Sequence, residues 1–351
     1  MSASYSSMGS GPTPSPIGSS GVPQSGSTRR FIRQLLDLVT YLAALAGAIS
    51  MIILLLITFV VLVVGAWPAI VKFNWHFLVS SQFNPVTDNY GCLPMLYGTF
   101  LSSFLGLLVA VPVSLGAAIF IVKIAPFWIA RPCSFLIELL AAIPSLAFGL
   151  WGVLVMSPWL QLHGEPWLHA AIGWMNIIPV GKYHNGQTEF FPSNLVQGAA
   201  YGSGMLAAGL ILAIMIIPII TAISRDVLAA APPEIEQGAY GLGATWWQAM
   251  WVNLGFCKTG LLGAVILGMA RAVGETMAVT MVIGNTKIIS ASLFSSSATM
   301  ASVLANEFTE ADTPMYTHAL VYLALVLLVS TMILNSLARF MVARVSGSSG
   351  R

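Results

Sequence analysis

Residues 42–66 read LAALAGAISMIILLLITFVVLVVGA, twenty-five positions without a charged side chain. As a helix this run covers about 37 Å at 1.5 Å per residue, enough for the roughly 30 Å hydrocarbon core of a bilayer. It is apolar on every side, so it has no face to offer water. The rest of the chain agrees: 57% of its 351 residues are hydrophobic and 7% are charged, against about 25% charged in a soluble domain. A soluble globular protein is excluded. The runs do not fit a membrane β-barrel, whose strands alternate polar and apolar residues over about ten positions.

Five further runs meet the same length rule, at about 98–122, 134–156, 201–223, 260–284 and 316–340. The reading is an all-α polytopic membrane protein with six transmembrane helices. Pro144 and Pro218 interrupt the third and fourth runs, which membrane helices tolerate when neighbours satisfy the freed carbonyls. Residues 1–28 are mostly Ser, Gly and Pro and are expected to be a disordered cytoplasmic tail. They precede a membrane domain at 29–345. They are not a signal peptide, because the apolar run begins only after Arg33 and has no small-x-small cleavage site.

With the N-terminus placed in the cytoplasm, the inside segments carry ten basic residues and the outside loops three, Lys72, Lys182 and Lys287. Basic residues favour the cytoplasmic side, so both termini are expected there. Cys92, Cys133 and Cys257 fit no metal or redox spacing. A long outer loop at 157–200 is rich in Trp and His, which suits an interfacial belt or a docking surface for an outside partner.

The inner loop at about 232–256 is more specific. Pro232-Pro233 stops a helix, Glu234 and Glu236 suit the start of a new one, and Gly241 and Gly243 turn the chain before TWWQAMW. A short helix, a turn and a second amphipathic helix would expose an aromatic-rimmed knob. The segment EQGAYGLGATWWQAMWVNLGF resembles the EAA-type loop of binding-protein-dependent ABC importer permeases. In that family the loop couples to a groove on the ATPase. The match falls on Ala239, Gly243 and the helix through Trp247, with Gln237 at the usual Glu position and Glu236 one residue before it. Gly255 stands where a Leu-Pro pair usually ends the motif.

ELLAAIPSLAFGLWG at 138–152 and RAVGETMAVTMVIGN at 271–285 resemble the phosphate-specific branch of that family. The resemblance runs from about Trp67 to Arg344. It implies a type I importer permease (MetI-like) fold and a place in a bacterial or archaeal inner membrane. It further implies a second, PstA-like permease subunit alongside, an ABC ATPase dimer carrying ATP and Mg, and a periplasmic phosphate-binding protein. The chain itself would bind no cofactor or metal and would not be an enzyme.

Arg271 and Glu275 stand four apart inside the fifth run. Thirteen residues beyond Lys258, Arg271 falls about 20 Å along a helix and near mid-membrane, where a lone charge costs about 2.5–3.5 kcal/mol. The spacing puts both charges on one helix face, where they offset each other in the less favourable order. One reading makes them a structural pair. The other makes Arg271 a weak station for an oxyanion, since its planar fork binds phosphate and keeps its proton, with Glu275 preventing over-tight binding. Glu138 is a lesser candidate for the path.

No P-loop is present: around Gly181-Lys182 the first Gly is replaced by Asn176. The energy source must lie on another chain. HExxH and GxSxG are absent, and no feature points to nucleic acid. Two other readings stay open: a permease for molybdate, tungstate or sulfate, and a self-contained secondary transporter, although no internal repeat of the kind such carriers show is visible.

Overall fold

The computed structural model describes residues 26–172, 179–184, 187–192, 202–290 and 292–347. The first 25 residues of the expected tail lie outside them, and its last three already belong to a helix. The chain forms two compact units, 1–58 and 59–351. Helix α1 runs Gly26–Phe73, and its part up to Thr58 is the described portion of the first unit. It stops where Asn74 takes a left-handed conformation, φ 47°, its N–H returning to the Ile70 carbonyl at 2.8 Å. Asn tolerates that helix-ending geometry better than most residues.

The second unit is built from α2 (His76–Val79), α3 (Leu93–Ile119), α4 (Phe127–Ala141), α5 (Ser145–Trp151), α6 (Ser157–Trp159) and α7 (Glu165–Ile172). They are followed by α8 (Met205–Ala229), α9 (Pro233–Gly241), α10 (Trp246–Val273), α11 (Met277–Val282), α12 (Met300–Glu307) and α13 (Pro314–Gly347). Among the described residues, six helical stretches are long and apolar enough to cross a membrane. The described residues are all-α apart from one antiparallel hairpin, β1 (Pro179–His184) with β2 (Gln187–Pro192). Its register pairs His184 with Gln187, and the two residues between them in sequence are Asn185-Gly186, a strong short-range hairpin signal.

Helix α8 is the axis of this unit. Small residues bring its neighbours close: a Cβ on Gly106 of α3 would sit 2.9 Å from the Leu212 Cβ, and one on Gly209 of α8 would sit 2.8 Å from that of Leu105. On the other side Gly260 and Gly268 of α10 admit Val227 and Ile220. Close backbone approach through small residues is how membrane helices gain packing energy without a hydrophobic drive. The core forms three clusters. One at mid-height includes Ile211, Ile216, Ala264 and Ala272. Another, at the end bearing Lys123 and Arg225, joins Ala118, Leu228, Cys257 and Leu261. The last, at the far end, joins Phe77, Tyr90, Met95, Met300 and Leu320. We call the two ends basic and aromatic.

Two expected spans differ from the helices observed. The third, expected at 134–156, is broken at residues 142–144, and the uninterrupted rod runs from Ser145 to Ile172. Pro144 has no N–H, and a residue preceding proline is pushed out of the helical region, so α4 ends before it and α5 begins after it. The rod then carries π turns at Gly152–Met156 and Leu160–Gly164, and a third ends α3 at Phe120–Ile124. Each ends two residues before a proline, Pro158, Pro166 and Pro126. A proline offers no donor to the carbonyl four residues back, and the ladder slips by one residue there. The segment expected as an outer loop from 157 thus opens as helix.

The fifth span, expected at 260–284, is also two pieces. Helix α10 runs without a break from Trp246 to Val273, and α11 restarts at Met277. The second amphipathic helix expected after the Gly turn is therefore the first part of α10 itself. Its start is fixed by a capping box, in which Thr245 Oγ1 accepts from the Gln248 N–H and Gln248 Oε1 accepts from the Thr245 N–H.

Candidate functional site

The break between α10 and α11 separates Arg271 from Glu275. The helix closes at Gly274 (φ −87°, ψ 0°), whose N–H bonds the Ala270 carbonyl at 3.4 Å. The expected i,i+4 pairing on one helix face does not form, and among the described residues Arg271 has no salt-bridge partner. Arg271 is exposed, continuing an open stripe from Leu267 through Gly274 to Met277. Glu275 turns inward, 9% exposed, and its Oε1 accepts the Ala278 N–H at 3.4 Å.

Each charge therefore meets a helix terminus of opposite sign. Arg271 lies in the last turn of α10, where the carbonyl ends carry partial negative charge; Glu275 precedes the first turn of α11, where free N–H groups carry the positive end. Such placement offsets part of the cost of each charge without consuming the other. No carboxylate among the described residues pairs with the guanidinium, which carries five N–H donors.

Depth follows from the neighbours. Cys257 Sγ lies 3.7 Å from the Val227 carbonyl at the basic end. Arg271 is fourteen residues further, about 21 Å along the helix. At the aromatic end, the Gly204 N–H that precedes α8 bonds the Val282 carbonyl at 2.9 Å. Arg271 thus stands between the two ends, short of α11. Beyond α11 the chain turns through Gly284 and Asn285, both at positive φ. Gly284 is required, since a Cβ there would meet Ser296 Oγ at 2.0 Å. Asn285 braces the turn by donating from Nδ2 to the Thr280 carbonyl at 2.9 Å.

The second candidate region is the loop at the basic end. Glu236 faces inward, where Lys123 at the end of α3 forms a close ion pair with it and the Tyr240 hydroxyl donates to Oε1 at 3.4 Å. Gln237 faces outward and is exposed; Ala239 is buried and its carbonyl takes the Ala244 N–H at 3.1 Å. Gly243 has φ 83°, with no other atom within 4 Å of where its Cβ would be. Backbone sign, not crowding, calls for glycine here. Around it Leu242 is 92%, Trp247 67% and Trp251 70% exposed. They form a projecting apolar knob of the kind that marks an interaction surface.

The sequence reading missed Lys123 as the partner that holds this loop. Lys123 was visible only as a basic residue closing a span, and nothing local joins it to Glu236, 113 residues on. Glu138, a lesser candidate for the path, bonds Arg225 at 3.0 Å at the basic end instead. It ties α4 to α8. Among the described residues no group of His, Cys, Asp and Glu is placed to hold a metal ion.

Residues 110–347 match the family described as binding-protein-dependent transport system inner membrane component. The phosphate transport system permease protein PstC of Pasteurella multocida is 41% identical over 325 residues, covering 92% of this chain and 97% of the relative. The protein of the same name from Mesorhizobium japonicum is 39% identical over 330 residues, covering 93% and 95%. That from Haemophilus influenzae is 41% identical over 305 residues, covering 87% and 92%. Among solved structures, a chain of the MetNI methionine ABC transporter in an inward-facing conformation is similar with a TM-score of 0.46 and 17% identity. It covers 73% of this chain and 94% of that one.

Proposed function

The chain belongs to the family of binding-protein-dependent transport system inner membrane components, and from that premise we propose that it is the membrane-spanning permease subunit of an ATP-driven phosphate importer. It is a multi-pass membrane protein of six apolar helices. The reading assigns it one half of the translocation path, the other half coming from a second, PstA-like permease. Its basic end, with both termini, faces the cytoplasm. A periplasmic phosphate-binding protein delivers the anion at the aromatic end, and a separate ATPase dimer, which holds ATP and Mg, grips the knob around Gly243. This chain binds no cofactor.

One observation carries the reading of the path: Arg271 stands at mid-depth, exposed and without a carboxylate partner among the described residues. An uncompensated guanidinium in hydrocarbon costs a few kcal/mol and is kept where it serves an anion. Bidentate hydrogen bonds suit a phosphate oxyanion, while a single cation holds it weakly enough to let it go. Glu275 acts on the shape of the site rather than as a counter-ion, by fixing the start of α11. The coupling loop is read the same way: Gln237 faces the ATPase by shape and hydrogen bonding, and Glu236 holds the loop to the permease core through Lys123.

The test is ATPase stimulation in the reconstituted complex, with phosphate, sulfate and molybdate each presented through the cognate binding protein. Phosphate-selective stimulation supports the reading. Equal or greater response to sulfate or molybdate assigns another oxyanion, and transport by this chain alone, without ATP, makes it a secondary transporter.

A further inference from the structure

Helix α13 extends through the basic end of the bundle and carries an apolar groove on its outer surface. The groove has a volume of about 560 Å³ and is lined by Phe59 of α1 and, along α13, by Val329, Ile333, Ser336, Leu337 and Phe340. Ile333, Leu337 and Phe340 are each more than half exposed, so no described part of the second unit closes the groove. Its α13 residues recur at three- and four-residue spacing and form one stripe.

That stripe ends between two arginines. At 100° per residue Arg344 continues the line of Phe340, and Arg339 flanks it on the other side. The Arg344 guanidinium carbon lies 5.0 Å from the centre of the Phe340 ring, over a residue that lines the groove. Neither arginine forms a salt bridge among the described residues. At the basic end Glu138 and Asp226 are engaged with Arg225, and Glu236 with Lys123. Helix α13 starts at Pro314, and a crossing of about 30 Å uses about twenty residues. Arg339 and Arg344 therefore fall at headgroup level, with the groove in the leaflet just within.

We propose that this groove is a binding site for an anionic diacyl phospholipid, one acyl chain lying along Ile333 and Leu337 and the phosphate held between Arg339 and Arg344. Charge complementarity selects the occupant. An apolar slot alone would take any lipid chain, but two unpaired guanidinium groups at its mouth favour a headgroup with net negative charge, since arginine forks match phosphate oxygens. A second permease helix would be a poorer occupant, because it would leave both cations at the groove mouth without an anionic partner unless it brought carboxylates of its own. The site does not depend on which anion is transported.

The experiment uses the full-length chain, purified with whatever subunits accompany it, in nanodiscs of phosphatidylethanolamine doped with photoactivatable phosphatidylglycerol or, in parallel, photoactivatable phosphatidylcholine. Adducts on the segment 329–347 are counted by mass spectrometry. The proposal expects phosphatidylglycerol to label this segment in clear excess. Arg339→Gln and Arg344→Gln should each lower the excess about fivefold, the factor that corresponds to ~1 kcal/mol per basic residue at a membrane surface. Ser336→Trp should fill the groove and remove labelling by both lipids. Equal labelling by the two lipids, an excess unchanged in both arginine variants, or protection of the segment by a second protein subunit would each overturn the site.

Discussion

At the scale of single residues, Arg271 decides most. Because no carboxylate of the described chain neutralises it, Arg271→Gln removes a cation without stranding a partner, and assembly should survive. Phosphate uptake by the reconstituted complex should fall by about two orders of magnitude, equivalent to ~3 kcal/mol of charged hydrogen bonding; near-normal uptake would remove Arg271 from the path. The thiols give a second check. Burial pushes the Cys92 thiol up to about 12, so at pH 8 only about one molecule in 10⁴ carries the reactive thiolate. Cys133 is half-buried on α4, while Cys257 is buried. Brief N-ethylmaleimide treatment at pH 8 should therefore modify Cys133 and spare Cys92 and Cys257, read by mass spectrometry. Raising the pH should increase Cys92 labelling only as its thiolate forms.

The residues proposed for the path stand out in the sequence, but their relation does not. Arg271 and Glu275 are the ionisable residues of a long apolar run, and that alone singles them out. Their spacing suggested a pair, since i,i+4 is the signature of helical neighbours. The signal against it was Gly274 between them, a weak helix former followed by a threonine. A helix can end at such a pair only if the groups it frees are satisfied, and the satisfaction comes from tertiary neighbours that spacing does not reveal. Lys123 and Glu236 show the same limit from the other side: each is conspicuous, and 113 positions hide that they meet.

At the scale of elements, the loop at the basic end and the α3–α8 contact each make a prediction. Charge reversal of Lys123 or of Glu236 alone should weaken coupling between ATP hydrolysis and transport, and the double reversal should restore it; a double variant no better than either single one would show that the ion pair does not hold the loop. Gly243→Glu places a side chain at φ 83° in open space. Its folding penalty should be about 1–2 kcal/mol, while transport per ATP hydrolysed should collapse. Between α3 and α8, Gly106→Leu forces a branched side chain against Leu212 and should destabilise the bundle by about 1–3 kcal/mol, measurable as a lower Tm in detergent. Helix existence was clear at this scale from apolar length alone. Helix interruption was not, because the consequence of a proline depends on where it falls. Pro218 stays inside α8, Pro144 breaks the chain, and Pro126, Pro158 and Pro166 each follow a π turn.

At the scale of the whole molecule, the partners inferred for the chain set what must purify with it. Expressed with its neighbours, it should be recovered with a second permease and an ATPase, and phosphate bound to its carrier protein should raise ATP turnover in the assembly. Recovery alone, with transport intact, would favour a self-contained carrier. The basic residues are the ground on which an orientation is proposed for the bundle, while the close packing around α8 rests on glycines whose purpose only the packed structure supplies.

Helix α10 has a mechanical meaning beyond its role as a span. It begins at the capping box beside the exposed knob and ends at the residue proposed to meet the anion, about 40 Å away at 1.5 Å per residue, with no proline between. If the proposed path and coupling loop hold, it would act as a push rod whose working tip is Arg271. The gap at Gly274–Thr276 is its joint, and α11 beyond it is seated against α5, where Gly149 fits closely over Ala278 and Met281. On the proposed reading, a shift of the knob would be carried along the rod to the guanidinium and taken up at the joint, so that the stroke would reach the cation while the mouth of the molecule stayed still.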